Sequence, residues 1–127
     1  MNPMVILLVD DNIGIQFYVW KLLKDAGFTV LTADDGIAAL EASRNYPGVI
    51  DLLLSDVDMP RMDGLELYRH IAAQRPEIKV LLMSGDFLAT VHVAMKGLPF
   101  LQKPFTRTAL RKSIEALLGP FPPSADQ

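Results

Sequence analysis

An α/β fold, a doubly wound parallel sheet of five strands with helices on both faces, is what this sequence predicts. Three observations carry it. Short apolar runs alternate with helix-like patterns along the chain, several runs are apolar on both faces, and polar residues gather where the runs stop. Strands buried on two sides read as continuous hydrophobic stretches, as parallel strands covered by helices do. Regular alternation of strand and helix joins such strands through right-handed crossovers.

The first run, Met4–Val9, predicts a strand that stops at Asp10. Ile15, Val19, Leu22, Leu23 and Ala26 then recur on one helix face, closed by Gly27. Trp20, next to that stripe, is expected to be partly exposed. Phe28–Ala33 predicts the second strand, and 35–45 is compatible with a helix. Asp51–Ser55 predicts the third strand; the turn pair Asp63-Gly64 introduces a helix over 64–74. Ile78–Met83 predicts the fourth strand. The segment 87–96 is a poor helix, because Thr90, Val91 and Val93 are β-branched. A short or irregular fourth helix is expected there, held by packing of Leu88, Val91 and Met95. Leu98–Gln102 predicts the fifth strand, and Thr106 caps a last helix carried by Leu110, Ile114, Leu117 and Leu118. From Gly119 to Gln127 the chain holds three of its nine prolines and cannot continue a helix. The expected division is one domain over 1–118 and a mobile tail over 119–127.

Composition narrows the function. The 127 residues suffice for one domain. Twelve Lys and Arg against fifteen Asp and Glu leave a net charge of -3, which argues against binding nucleic acid by neutralising phosphates. Half the residues are hydrophobic, enough for a real core. The absence of Cys excludes disulfide scaffolds, thiolate zinc sites and thiol nucleophiles. Met4–Val9 is far short of the roughly 20 residues that span a bilayer, and it lacks a basic leader. A soluble, cytoplasmic domain without a membrane partner is expected. His70 and His92 are far apart and away from strand ends, so neither is expected to be a ligand. The six Met residues are expected to fill core.

The chemistry collects at strand ends. Asp10 and Asp11 follow the first strand, Asp56 the third, Ser84 the fourth and Lys103 the fifth. Open parallel sheets bind ligands outside the carboxyl ends of their strands, where strand order reverses. With the order 2-1-3-4-5, the first and third strands flank that point and the three carboxylates converge. An Asp after a strand is often only a turn or cap residue, and Asp11 alone reads equally well that way. Three carboxylates together raise one another's pKa and cost stability, a cost that a cation removes. Oxygen ligands without His or Cys suit a hard ion such as Mg²⁺. A Lys beside them can pair with a carboxylate or a phosphate oxygen, and a Ser hydroxyl can donate to a phosphate. Such an assembly suits placing a phosphoryl group on a carboxylate. Pro60 turns the chain out of the sheet, and Gly85 lets backbone approach a phosphoryl group closely.

The ordered set Val9-Asp10-Asp11-Asn12, Leu53 through Gly64 (LLSDVDMPRMDG), Met83-Ser84-Gly85 and Lys103-Pro104-Phe105 resembles the CheY-like receiver domain of two-component response regulators. The resemblance covers about residues 4–118 and implies a flavodoxin-like sheet. It makes Asp56 the phosphoacceptor and Asp10 and Asp11 the acidic pair that binds Mg²⁺. Asp58 would lend the metal its backbone carbonyl. Ser84 would follow the phosphoryl group, Lys103 would be its charge partner, and Phe100 matches the switch aromatic, with plain sheet core as its other reading. The Lys103–Pro104 bond would be cis. The stretch between Ser84 and Lys103 is shorter than usual in the family. Asp58 and Asp86 occupy positions that tune how water reaches the phosphoaspartate there.

The implied function is a phosphorylation-dependent switch. The phosphoryl group would come from a phosphohistidine on a histidine kinase or histidine phosphotransfer protein, and its charge of about -1.5 to -2 would alter a surface read by an unknown downstream protein. Enzymatic activity would be limited to Mg²⁺-dependent autophosphorylation and autodephosphorylation at Asp56. Nine residues follow Leu118, so a stand-alone regulator or relay, or a piece of a larger hybrid kinase, is expected. The enzymatic alternative is a haloacid-dehalogenase-type phosphatase with Asp56 as nucleophile and Asp58 as acid/base. Pro60, the position of the motif on the third strand and the lack of a cap domain oppose it. A degenerate receiver that binds partners without phosphorylation is a third reading, opposed by the complete acidic set.

Overall fold

Backbone hydrogen bonding carries the strands slightly beyond the apolar runs that predict them. The computed structural model describes residues 3–121. Its strands are β1 (Val5–Val9), β2 (Thr29–Ala33), β3 (Leu52–Asp56), β4 (Lys79–Ser84) and β5 (Phe100–Gln102). The helices are α1 (Ile13–Asp25), α2 (Gly36–Asn45), α3 (Gly64–Gln74), α4 (Phe87–Met95) and α5 (Arg107–Leu118). All pairings are parallel, in the order β2-β1-β3-β4-β5. The runs in β3 and β4 stop where side chains turn polar, yet the ladder continues. The Val57 N–H donates to the Met83 carbonyl at 2.8 Å, and Lys103 N–H to that of Ser84 at 2.8 Å. Asp56 and Ser84 are therefore the last residues of their strands. β5 is shorter than expected because Leu98 closes α4, its N–H donating to the Val93 carbonyl. Pro99 has no N–H for the ladder.

Side-chain alternation divides the core into two layers. Val5, Leu7 and Val9 of β1 face α2 and α3, where they meet Leu53, Leu67, Ile71 and Leu82. Ile6 and Leu8 face the other way, against Val19 and Leu23 of α1 and Leu110 and Ile114 of α5. All five side chains of β1 and all five of β3 are buried. Each helix starts on a side-chain cap: Asn12, Asp35, Asp63, Asp86 and Thr106 each accept a backbone N–H from the first turn. Gly27, at φ +102°, makes the left-handed turn out of α1. Trp20 is half-buried, stacked on Phe17 at 5.8 Å with the Lys24 ammonium 4.8 Å from its centroid.

The fourth helix is short, as expected, at nine residues, and it is regular, but its packing departs from expectation. It does not pack through Leu88, Val91 and Met95, which are 75%, 37% and 82% exposed; Thr90 and Val93 face the core instead. α4 is apolar around most of its circumference, so its sequence does not choose a face. The Asp86 cap sets the phase, and Thr90 Oγ1 donates back to the Asp86 carbonyl at 3.1 Å. Nor do the methionines all fill core. Met59 and Met83 are buried, whereas Met4 and Met95 are exposed. The expected tail also begins as packed chain: the Phe121 ring meets Phe28 edge-on at 5.0 Å, and Arg111 covers it at 4.7 Å. Positions 122–127 lie outside the described residues. Among the described residues, no helix is long and apolar enough to cross a membrane.

With only two buried side chains, α4 has little tertiary support for a sequence of low helix propensity. Residues 85–97 are expected to exchange amide hydrogens fastest among the elements between Met4 and Leu118. A beryllofluoride phosphoryl mimic is expected to slow that exchange. Mass-spectrometric hydrogen exchange checks both; protection equal to that of β1 and indifferent to the mimic would mark α4 as rigid.

Candidate functional site

The site is assembled at the carboxyl ends of β1, β3, β4 and β5. β1 delivers Asp10, fully buried, and the exposed Asp11 behind it; β3 ends on Asp56, 5% exposed. One carboxylate oxygen from each of Asp10, Asp11 and Asp56 lies within 4.8 Å of the others. Lys103 enters from β5. Its Nζ sits 2.9 Å from Asp10 Oδ2 and 3.3 Å from Asp56 Oδ1. The peptide between Lys103 and Pro104 is cis. Ser84, 2% exposed at the end of β4, donates from Oγ to Asp58 Oδ2 at 2.7 Å. Phe100 opens β5 paired with Leu82, and at 42% exposure it is not sheet core. His70 and His92 are exposed on helices α3 and α4, outside this group.

Several supports were not apparent in the sequence. Asn12 N–H donates to Asp10 Oδ1 at 2.9 Å, which fixes the carboxylate opposite its bond to Lys103. Gln16 reaches back from α1 and donates from Nε2 to the Asp10 carbonyl and to Asp34 Oδ1, each at 2.9 Å. It lies off the apolar stripe of its helix, so periodicity gives no sign of it. Gly64 packs against the end of β3. A Cβ there would fall on the Asp56 carbonyl oxygen and come within 3.0 Å of Val57 Cα, so only glycine lets α3 start so close to the site.

The electrostatics follow from burial. Desolvation pushes the Asp56 carboxyl up from 3.8 to about 6; Lys103 pulls it down, and the charges of Asp10 and Asp58 push it further up. Burial alone would lower the Lys103 pKa, but its hydrogen bond to Asp10 and the charge of Asp56 outweigh that and raise it. Lys103 therefore stays charged at neutral pH. The donors are all oxygens and the net charge of the group is negative, which fits a hard divalent cation such as Mg²⁺ held by Asp10, Asp11 and Asp56.

The comparisons with known proteins agree with this arrangement. The family model for the response regulator receiver domain matches residues 6–115. The chain is 34% identical over 116 residues to the sensor kinase CckA of Brucella abortus, covering 89% of this chain and 12% of that protein. It is 33% identical over 116 residues to the response regulator receiver protein CpdR of the same organism, covering 89% of this chain and 95% of the relative. Among solved structures, the chemotaxis protein CheY4 of Vibrio cholerae superimposes with a TM-score of 0.80 at 30% identity, covering 91% of this chain and 99% of that one. The chain thus spans nearly all of CpdR but a small part of the kinase. Receiver domains bind Mg²⁺ at an acidic pocket and work with histidine kinases or phosphotransfer proteins in phosphorelay signalling. By its matched residues, strand order and acidic pocket, this chain belongs to the response regulator receiver domain family.

Proposed function

We propose that the domain is a cytoplasmic switch set by phosphorylation of Asp56, with the phosphoryl group arriving from a phosphohistidine on a histidine kinase or phosphotransfer protein. The observation that carries this reading is the Asp56 carboxylate at the end of β3, 3.3 Å from Lys103 Nζ and grouped with Asp10 and Asp11. In the transfer, an Asp56 oxygen forms the O–P bond as the donor's N–P bond breaks, and the electron pair returns to the imidazole nitrogen. With a pKa near 6, Asp56 is ionised and nucleophilic at pH 7. Bound Mg²⁺ supplies positive charge that makes the approach of an anionic phosphoryl group favourable. Asp10, Asp11 and Asp56 would hold that ion by their carboxylates and Asp58 by its backbone carbonyl.

Lys103 then pairs with the new phosphoryl oxygens, and Ser84 Oγ donates to another. Ser84 Oγ also accepts from the N–H of Asp86, the cap of α4, so its change of partner reaches the surface of α4 and β5, where Phe87, Leu88, Met95 and Phe100 are exposed and suited to a downstream protein partner. The phosphatase alternative is opposed by the position of the motif on β3, and Asp58 Oδ2 already accepts from Ser84 Oγ. Treatment of the chain with acetyl phosphate and Mg²⁺ is expected to add one phosphoryl mass. Asp56→Asn is expected to abolish the gain. Equal labelling of the variant would overturn the assignment, and turnover of many phosphate esters would favour the enzyme.

A further inference from the structure

The Ser84 hydroxyl has one proton to give, and the fold has already committed it. Ser84 Oγ accepts the Asp86 N–H at 3.0 Å and donates to Asp58 Oδ2 at 2.7 Å; its other acceptor, the Asp86 carbonyl, lies at 3.4 Å. A hydroxyl carries a single donor hydrogen, and donation to a carboxylate is the stronger choice. Asp58 is exposed, yet its place is fixed by its neighbours. Val57 and Met59 are both buried. Val57 N–H is bonded to the Met83 carbonyl, and its own carbonyl accepts from Gly64 N–H at 3.0 Å. Backbone bonds at Val57 and burial of the Met59 side chain thus anchor the chain around Asp58, and its carboxylate meets the Ser84 hydroxyl.

We infer that the Asp58 side chain is a positioning residue: it holds the Ser84 hydroxyl in the unphosphorylated domain and competes for its proton with a phosphoryl group on Asp56. This inference rests on the assignment of Asp56 as acceptor and Ser84 as reader. Lys103 differs, because it already contacts Asp56 and needs no release. Ser84 must exchange one anionic acceptor for another, so the Asp58 bond opposes the set state.

Removing Asp58 also removes a negative charge that repels an incoming anion, and a double-mutant cycle separates the two effects. The full chain, saturated with Mg²⁺, is titrated with beryllofluoride and followed by calorimetry. Asp58→Ala is expected to tighten binding by about tenfold when Ser84 is present, the scale of a lost competing hydrogen bond to a charged group. In the Ser84→Ala background the same substitution is expected to give only the smaller gain from charge. Asp58→Asn keeps an acceptor oxygen and is expected to fall between the parent and Asp58→Ala. Equal gains in both backgrounds would overturn the inference. Labelling of Asp56 by acetyl phosphate, read by mass, keeps the two readings apart. Normal labelling with equal gains defeats the role of Asp58 alone. No labelling and no beryllofluoride binding in any variant defeats both.

Discussion

Replacing Lys103 with alanine is expected to destabilise the metal-free protein by about 3–5 kcal/mol, the range for breaking a buried ion pair from one side. The Lys103 side chain is 14% exposed and the Asp10 side chain not at all, so water cannot take over the ammonium's place. Two buried carboxylates would face each other with no cation between them. For a domain of this size the melting temperature is expected to fall by on the order of 10 °C or more. Added Mg²⁺ is expected to restore part of the loss, because it neutralises the same charges. Thermal melts with and without the ion check both statements, and an unchanged melting temperature would remove Lys103 from the electrostatic centre. Phosphorylation itself is expected to persist, since acceptor and acidic pair remain. The slowing of hydrogen exchange in α4 that phosphorylation is expected to cause should then be lost.

Asp56→Asn is expected to act with the opposite sign. The folded domain holds this carboxyl at about 6, against 3.8 for the free group, mainly through burial. Between these values the native state binds more protons than the unfolded chain, so stability falls as pH rises through the window from about 4 to 6. Above it the ionised carboxylate costs the metal-free fold about 3 kcal/mol relative to its protonated form. Asparagine has the shape of the neutral acid and escapes that cost. The variant is therefore expected to be more stable than the parent at pH 7 and nearly equal to it at pH 4. Denaturant unfolding of both proteins across that window isolates Asp56 from other titrating groups, because only the difference between them is read. A difference that does not change with pH would mean that Asp56 titrates normally. If Asp56 is the acceptor proposed above, function and stability oppose each other at this residue, because the carboxylate that would react strains the fold that carries it.

Apolar runs sufficed to predict all five strands and their parallel arrangement, because strands buried on two faces leave little room for polar residues. The grouping of Asp10, Asp11, Asp56 and Lys103 was legible for a related reason: strand ends in such a sheet point to one place. Other features were not legible. Strand limits at Asp56 and Ser84 depend on backbone bonds that ignore side-chain polarity. The inward face of α4 was hidden because Leu88, Val91, Val93 and Met95 offer apolar surface in several directions, and the Asp86 cap decides between them. The bond from Ser84 to Asp58 joins residues 26 apart in the chain and depends on how the turn after β3 is anchored. No local pattern announces it.

β5 has a consequence for how the protein behaves at high concentration. It is an edge strand of three residues, beside a helix with exposed Phe87, Leu88 and Met95. Exposed apolar surface next to an open sheet edge is the usual starting point for strand addition and aggregation. Pro99 stands immediately before this strand, and Pro104 follows two residues after its end. Neither can donate a backbone hydrogen bond, so an incoming strand would find a template too short to extend in either direction. The domain can keep this apolar surface exposed while the adjacent edge stays closed to self-templating.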